Sequence, residues 1–262
     1  MAAEKGYRLE TFEQLGSTND EAMARARAGD PGRLWIVAEA QSAGRGRHGR
    51  NWASPRGNLY ASLLLVEPGP REHAPELGFV AGVALAETLH AILGYDARLT
   101  LKWPNDLVFD DAKLSGLLLE AATTPEGHFA CVIGFGVNCA SHPQGLAYPT
   151  TDLAALGRQC GPREVLLPLS EAMDRWLSRW AQGANFSDIR EAWLRHANYV
   201  DCLIRVTTGA SSVEGIFRTI DAAGRLVIET ATGRVTVDAG DVFLLNRQVG
   251  EAARRGQCLD DR

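Results

Sequence analysis

The run AEAQSAGRGRHGRNWASPRGNLYASL, residues 38–63, decides the fold class. Gly44, Gly46 and Gly49 satisfy the spacing G-x-G-x-x-G behind an apolar strand, LWIVAEA at 34–40. In a dinucleotide-binding fold a helix opens at those glycines and its N-terminus takes the pyrophosphate. Here the glycines run into Arg50-Asn51-Trp52-Ala53-Ser54-Pro55-Arg56-Gly57, which is no helix, and no G-x-x-x-x-G-K-[ST] loop occurs. What remains is a loop with Arg45, Arg47 and Arg50 on glycine hinges: three positive charges in seven residues of a chain whose net charge is −5. Glycine lets backbone N–H groups approach an anion, and arginine adds planar donors matched to carboxylate or phosphate. The loop is either a trap for an anionic ligand or a solvated segment, or one that contacts nucleic acid. Ordering it costs entropy, so it is expected to be mobile alone and to close on a ligand.

Elements follow outward from this run. Upstream, Thr18 with Glu21 three residues on forms a capping box, predicting a helix with Thr18 as N-cap that stops at Gly29 and Pro31. Downstream, 59–66 is a second apolar strand and 76–93 a helix ended by Gly94. Strands at 98–103, 106–109, 113–121 and 128–138 follow with short polar breaks, which suits hairpins and a meander. Helices are predicted at 170–182 and 187–196. The character changes near Tyr199, where strands at 202–207, 213–220, 225–230, 234–237 and 242–245 suggest a small SH3-like barrel. The expected organisation is a domain over 1–198, a barrel over 199–246 and a frayed tail over 247–262.

Hydrophobic residues make up 45% and charged residues 23% of the 262, the balance of a globular protein with a real core. The acidic net charge argues against a broad basic face for duplex DNA. No run of about 18 apolar residues is present, and the first dozen residues lack the apolar stretch of a signal peptide. The five cysteines are odd in number and never C-x-x-C, so neither a disulfide framework nor zinc is expected, and a cytoplasmic location is.

Three further segments carry candidate chemistry. In LKWPNDLVFDDAKLSGLLLE (101–120), Pro104-Asn105-Asp106 is turn chemistry, and Lys113 opens an apolar strand as either an edge gatekeeper or a functional cation. Gly116 in that strand means a bulge or a close backbone approach. In GFGVN, Gly134 and Gly136 weaken a strand unless something needs the space, and Asn138 is either a turn residue or a ligand to nucleotide or metal. At Ser17-Thr18, a helix cap accounts for one hydroxyl and leaves the other for a ligand.

Together these segments resemble the biotin–protein ligase family. The matching pieces, in the family's order, are Gly16-Ser-Thr-Asn19, Gln41-Ser-Ala-Gly-Arg-Gly-Arg47 with Trp52 and Ser54-Pro55, Lys102-Trp-Pro-Asn-Asp-Leu107, Lys113-Leu-Ser-Gly116 and Gly134-Phe-Gly-Val-Asn138. The resemblance implies an α/β (α+β) fold of the class II synthetase and biotin ligase kind: a mixed, largely antiparallel sheet with helices on one face, then a small SH3-like barrel. It implies ATP-dependent attachment of biotin to a lysine of a biotin carboxyl carrier protein through biotinyl-5′-AMP, with Mg²⁺. Lys113 would stabilise charge as carboxylate meets α-phosphate, with Arg47 from the covering loop. Ser17, Thr18, Asn19, Gln41, Gly44, Arg45, Gly46 and Arg47 would bind biotin, with Gly116, Gly134 and Gly136 forming a flat slot for its bicycle. Trp52, Lys102, Asn105, Asp106 and Asn138 would contact the adenylate, with Asn138 the candidate metal ligand and Asp106 or a neighbour orienting the acceptor amine.

Two departures stand out. His48 replaces an arginine common in relatives, which implies adenylate binding that tightens as pH falls toward about 6. Only about fifteen residues precede Ser17-Thr18-Asn19, too few for a helix-turn-helix, so the resemblance is to the monofunctional type, with no DNA or membrane partner expected. Some family members dimerise through sheet edges, which extends the expectation to a homodimer. The alternatives are a lipoate or octanoyl ligase or transferase acting on a carrier lysine, and a non-catalytic biotin sensor.

Overall fold

The computed structural model describes residues 6–209 and 211–246; the expectation of a frayed tail at 247–262 lies outside the described residues. The chain opens on β1 (Arg8–Leu15), a strand the sequence reading did not anticipate. Its polar side chains belong to a sheet edge, and its partner is β2 (Leu34–Gln41), in parallel register from Arg8↔Leu34 to Leu15↔Gln41. Between them lies α1 (Thr18–Arg27). Its N-cap is Ser17, not Thr18: Ser17 has extended φ/ψ and its Oγ accepts from the Asp20 N–H at 3.4 Å. Thr18 does not cap because its N–H and Oγ1 turn to Gln41 Oε1, and Glu21 pairs with Arg25 at 3.0 Å instead of closing a capping box.

The remaining elements are β3 (Leu59–Val66), α2 (Glu76–Leu93), β4 (Leu99–Lys102), β5 (Asp106–Phe109), β6 (Ala112–Thr123), β7 (Phe129–Val137), α3 (Pro162–Trp180), α4 (Phe186–His196), β8 (Leu203–Thr208), β9 (Ser211–Ile220), β10 (Leu226–Thr230), β11 (Gly233–Val237) and β12 (Asp241–Asn246). Helix α3 starts at Pro162, well before the predicted 170, and runs straight through Pro168. Pro162 sits in the first turn, where its missing N–H costs nothing, and the Gly161 N–H is bonded by Glu164 Oε2 at 2.7 Å. By length and composition α2 is apolar enough to cross a membrane, and 72% of it is buried within the protein.

Seven strands form one sheet in the order β1-β2-β3-β7-β6-β5-β4, antiparallel except at β1/β2. The mixed, largely antiparallel sheet is as expected, but its helices are not all on one face. Alternation along β3 shows why. Leu59, Ala61, Leu63 and Leu65 enter the main core with residues of α2, α3 and α4, while Leu64 packs with Ala22, Met23 and Ala26 of α1 on the other side. A ten-residue helix is too short to cover that second face. Its uncovered half carries Gly116, Gly134 and Gly136.

The second sheet, in the order β11-β10-β9-β8-β12, is antiparallel throughout and has the return of last strand to first expected of a small SH3-like barrel. Its inward residues, including Ile204, Phe217, Leu226 and Ile228, belong to the same core cluster as Leu77, Phe79 and Trp193.

Candidate functional site

The uncovered half-face opens into a cavity of about 390 Å³. A β-bulge decides what faces it. Along β5/β6 the register runs Asp106↔Gly116 and Leu107↔Ser115, then shifts to Val108↔Lys113. Leu114 is the extra residue. With strict alternation Lys113 would share the core-facing side with Leu117; the bulge breaks the phase, sends Leu114 into the core and leaves Lys113 in the cavity wall beside Gly116. Gly116 itself marks a close approach: a Cβ there would stand 3.1 Å from Trp52 Cζ3 and 3.4 Å from Lys113 Nζ. The Lys113 backbone is clamped from outside, its N–H to Pro149 O at 2.9 Å and its C=O accepting from the Thr151 N–H at 3.0 Å.

The Lys113 amine lies 2.7 Å from Asp106 Oδ1 and 5.3 Å from the centre of the Trp52 ring, and its side chain is 19% exposed. Lys102 lines the same wall, its pKa pushed down by burial and by the neighbouring Lys113 charge, against the pull of Asp106. Arg47 completes the cationic group. Burial lowers its pKa despite Asp241 and Asp106 nearby, and Nη1 donates to Asn105 Oδ1 at 2.8 Å. Asn105 is fixed in turn, Nδ2 to Leu117 O at 2.5 Å. The cavity wall carries Arg45, Arg47, Arg50, Lys102 and Lys113 against Asp106, Asp111 and Asp241, an excess of positive charge that an anionic ligand relieves.

At the other end the cavity is neutral and polar. Thr18 N–H and Oγ1 donate to Gln41 Oε1 at 2.8 and 3.2 Å, Gln41 Nε2 donates to Ser54 Oγ at 3.0 Å, and Ser62 Oγ reaches Thr18 Oγ1 and Asn19 Oδ1 at 2.8 and 2.6 Å. Asn19 Nδ2 donates to Glu120 Oε2 at 2.8 Å.

The arginine loop is folded back on protein partners. Gly46 N–H bonds Arg50 O at 2.7 Å and Trp52 N–H bonds Gly44 O at 2.9 Å, closing a small hairpin around a turn at Arg47–Gly49. His48 sits at its exposed tip with φ 56°. Arg45 reaches Asp20 and Glu120; burial works against its charge, and the two carboxylates outweigh it.

Of the expected site residues, the cavity wall brings together Ser17, Thr18, Asn19, Gln41, Arg45, Gly46, Arg47, Trp52, Lys102, Asn105, Asp106, Lys113, Gly116, Gly134 and Gly136. The glycine slot, however, already has occupants. A Cβ on Gly136 would stand 2.6 Å from Trp52 Cε2, and one on Gly134 would overlap Asn19 Oδ1. Trp52 is thus a wall resting on the glycine strands, with its Nε1 buried and unbonded. Gly44 is outside the cavity. It shapes the loop's neck, where a Cβ would stand 2.5 Å from Ser54 Oγ and 2.6 Å from Trp52 O. Asn138 is also outside the cavity and 3% exposed, so its position supports neither the adenylate nor the metal assignment; Nδ2 donates to Thr151 O at 3.0 Å, and its backbone bonds Leu114 and Leu153. Among the described residues no three His, Cys, Asp or Glu side chains gather as a metal site. The sequence reading missed the mouth, which includes Tyr148 and Phe243, half exposed, and Gly240 and Asp241 from the second sheet. Nothing local in the sequence connects Gly240 and Asp241 to a loop some 190 residues away.

The geometry can be set beside known proteins. A family model for the biotin/lipoate A/B protein ligase family matches residues 12–138, and one for the biotin protein ligase C-terminal domain matches 204–245. A biotin–[acetyl-CoA-carboxylase] ligase of Paracoccus denitrificans is 37% identical over 233 residues, covering 87% of this chain and 96% of the relative. Among solved structures, the biotin protein ligase of Aquifex aeolicus in complex with biotin and ATP superposes with a TM-score of 0.78 at 25% identity, covering 91% of this chain and 99% of that one. The Leishmania major biotin protein ligase in complex with biotinyl-5-AMP superposes with a TM-score of 0.63 at 25% identity, over 88% and 99%. With matches that run through both sheets and nearly the whole length of the bacterial relative, this chain belongs to the biotin–protein ligase family.

Proposed function

We propose that the protein joins biotin to a lysine of a biotin carboxyl carrier protein, or the carrier domain of a biotin-dependent carboxylase, through biotinyl-5′-AMP. The observation that carries the reading is the Lys113 amine, turned by a bulge onto the glycine-bearing strands between a neutral polar pocket and an arginine loop. The relatives' names, and the biotin, ATP and biotinyl-AMP of their complexes, support it.

The polar end, with Ser17, Thr18 and Gln41, suits a small neutral ring of mixed donors and acceptors; the cationic end suits phosphate and carboxylate. In the first step a biotin carboxylate oxygen attacks the α-phosphorus of ATP, and the bond to the β-phosphate oxygen breaks, releasing pyrophosphate. Two anions must meet, and Lys113, Arg47 and Lys102 stabilise the charge that builds at the α-phosphate. Mg²⁺ accompanies the triphosphate, since it binds chiefly through substrate phosphates and few protein carboxylates. In the second step the carrier amine attacks the biotinyl carbonyl and AMP leaves. In this reading Asp106, beside Lys113, orients that amine and takes its proton. The folded loop shields the anhydride from water.

Incubation with biotin, Mg-ATP and a carrier domain tests this directly. Pyrophosphate release and a biotin mass gain on the carrier are expected, with biotin but not lipoate competing. Adenylate without transfer leaves a biotin sensor, and lipoate preference leaves the lipoate class.

A further inference from the structure

We infer that Asp241, at the start of β12, is a positioning residue for this reaction: with the Gly240 carbonyl it latches the second arm of the arginine loop to the C-terminal sheet and holds Arg47 toward the cavity. The inference rests on the biotin-ligase reading for its catalytic consequence and on geometry alone for the latch.

The loop has two differently anchored arms. Arg45 ties the first to Asp20 of α1 and Glu120 of β6. The second arm crosses to the other sheet. Arg47 Nη2 donates to Gly240 O at 3.0 Å and lies 3.9 Å from Asp241 Oδ1. Arg50 grips the same carboxylate with both terminal nitrogens, Nη1 to Oδ1 at 3.2 Å and Nη2 to Oδ2. One carboxylate therefore sits between two guanidinium groups that otherwise repel. Burial alone would raise the Asp241 pKa; hydrogen bonds from Arg50, with the Arg50 and Arg47 charges, outweigh it and hold the carboxyl below its ordinary value.

The latch plate is a paired strand. Asp241 pairs with Thr207 in the β8/β12 ladder. A Cβ on Gly240 would stand 2.7 Å from Val206 Cγ1 and 2.9 Å from Thr207 O, so only glycine fits where the chain offers that carbonyl to Arg47. A phosphate entering the cavity competes for Arg47, while Arg50 remains on Asp241. The second arm then stays down through adenylate formation, held by the Arg50–Asp241 pair.

The test uses Asp241→Asn, which keeps shape and removes charge, and the swap Arg50→Asp with Asp241→Arg. Two quantities are read: amide hydrogen exchange at 44–52 in the protein alone, and the dissociation rate of pre-formed biotinyl-AMP. Arg50 is 58% exposed, so the pair is screened and an effect of about two- to fivefold is expected in both quantities. Exchange at 15–20 on the other anchor should stay unchanged, and added salt should move wild type toward Asp241→Asn. The swap should recover part of the loss, which a merely structural role for Asp241 would not allow. Wild-type exchange at 44–52 in Asp241→Asn overturns the latch, as does a swap that folds and recovers nothing. If wild type forms no adenylate, the ligase reading fails while the exchange measurement still decides the latch.

Discussion

Gly136→Ala tests whether Trp52 belongs on the glycine strands. The new Cβ would stand 2.6, 2.7 and 2.8 Å from Trp52 Cε2, Cζ2 and Nε1. Carbon atoms in contact prefer about 3.5–4.0 Å, so the indole must retreat by roughly 1 Å. It is a rigid bicycle whose backbone N–H is held by Gly44 O at 2.9 Å, so the retreat disturbs the loop. Overpacking of this kind costs about 1–3 kcal/mol, or roughly 2–10 °C in melting temperature for a chain of this size. Gly116→Ala should be milder, because its Cβ meets Trp52 at 3.1 Å and otherwise the movable end of Lys113. Calorimetric biotin binding and thermal unfolding should order the variants wild type, Gly116→Ala, Gly136→Ala. In a Trp52→Ala background, Gly136→Ala should cost almost nothing further, a coupling of about 1 kcal/mol or more. Additive losses in that cycle, or a harsher Gly116→Ala, would falsify the placement of the indole.

Lys113→Gln should lower adenylate formation by about 10²–10³-fold, the usual loss of one preorganised charge-stabilising donor, with biotin affinity nearly kept; a normal single-turnover rate sinks the electrostatic role. Asn138→Ala should cost about 1–3 kcal/mol by leaving the Thr151 carbonyl unbonded, with the Mg²⁺ dependence of adenylate formation unmoved, and a shifted Mg²⁺ titration would reinstate it as a metal ligand. His90 and His196 lie 5.1 Å apart and burial lowers both pKa values. The unfolded chain therefore binds protons there that the folded chain refuses, so stability should fall as pH drops below about 6.5. His90→Leu should reduce that acid sensitivity, and an unchanged melting profile between pH 8 and pH 5 argues against it.

Apolar runs bounded by glycine were readable because burial on both faces requires them: β2, β3 and α2 stand close to where the sequence places them. Strand β1 was invisible because a polar edge strand owes its conformation to its neighbour, and the first turns of α3 were hidden by Pro168, which tertiary packing tolerates. In the site, residue type carried far. Lys113, the loop arginines and the glycines stand together, although the bulge that aims Lys113 has no local signature. Pattern failed where direction mattered. Nothing in Gly134-Phe-Gly-Val-Asn138 tells which way the Asn138 amide turns, and glycines that clear space do not say whether a ligand or the protein's own Trp52 and Asn19 uses it.

The shared core has a thermodynamic consequence. Trp103, one step from the Pro104-Asn105-Asp106 turn, donates to Gly224 O at 3.3 Å, and Phe79 of α2 lies where a Cβ on Gly224 would fall. The seam between the sheets is thus built from side chains both layers need. Heating should melt the two together in one cooperative step, and excising the terminal strands would strip the remaining layer of part of its own interior.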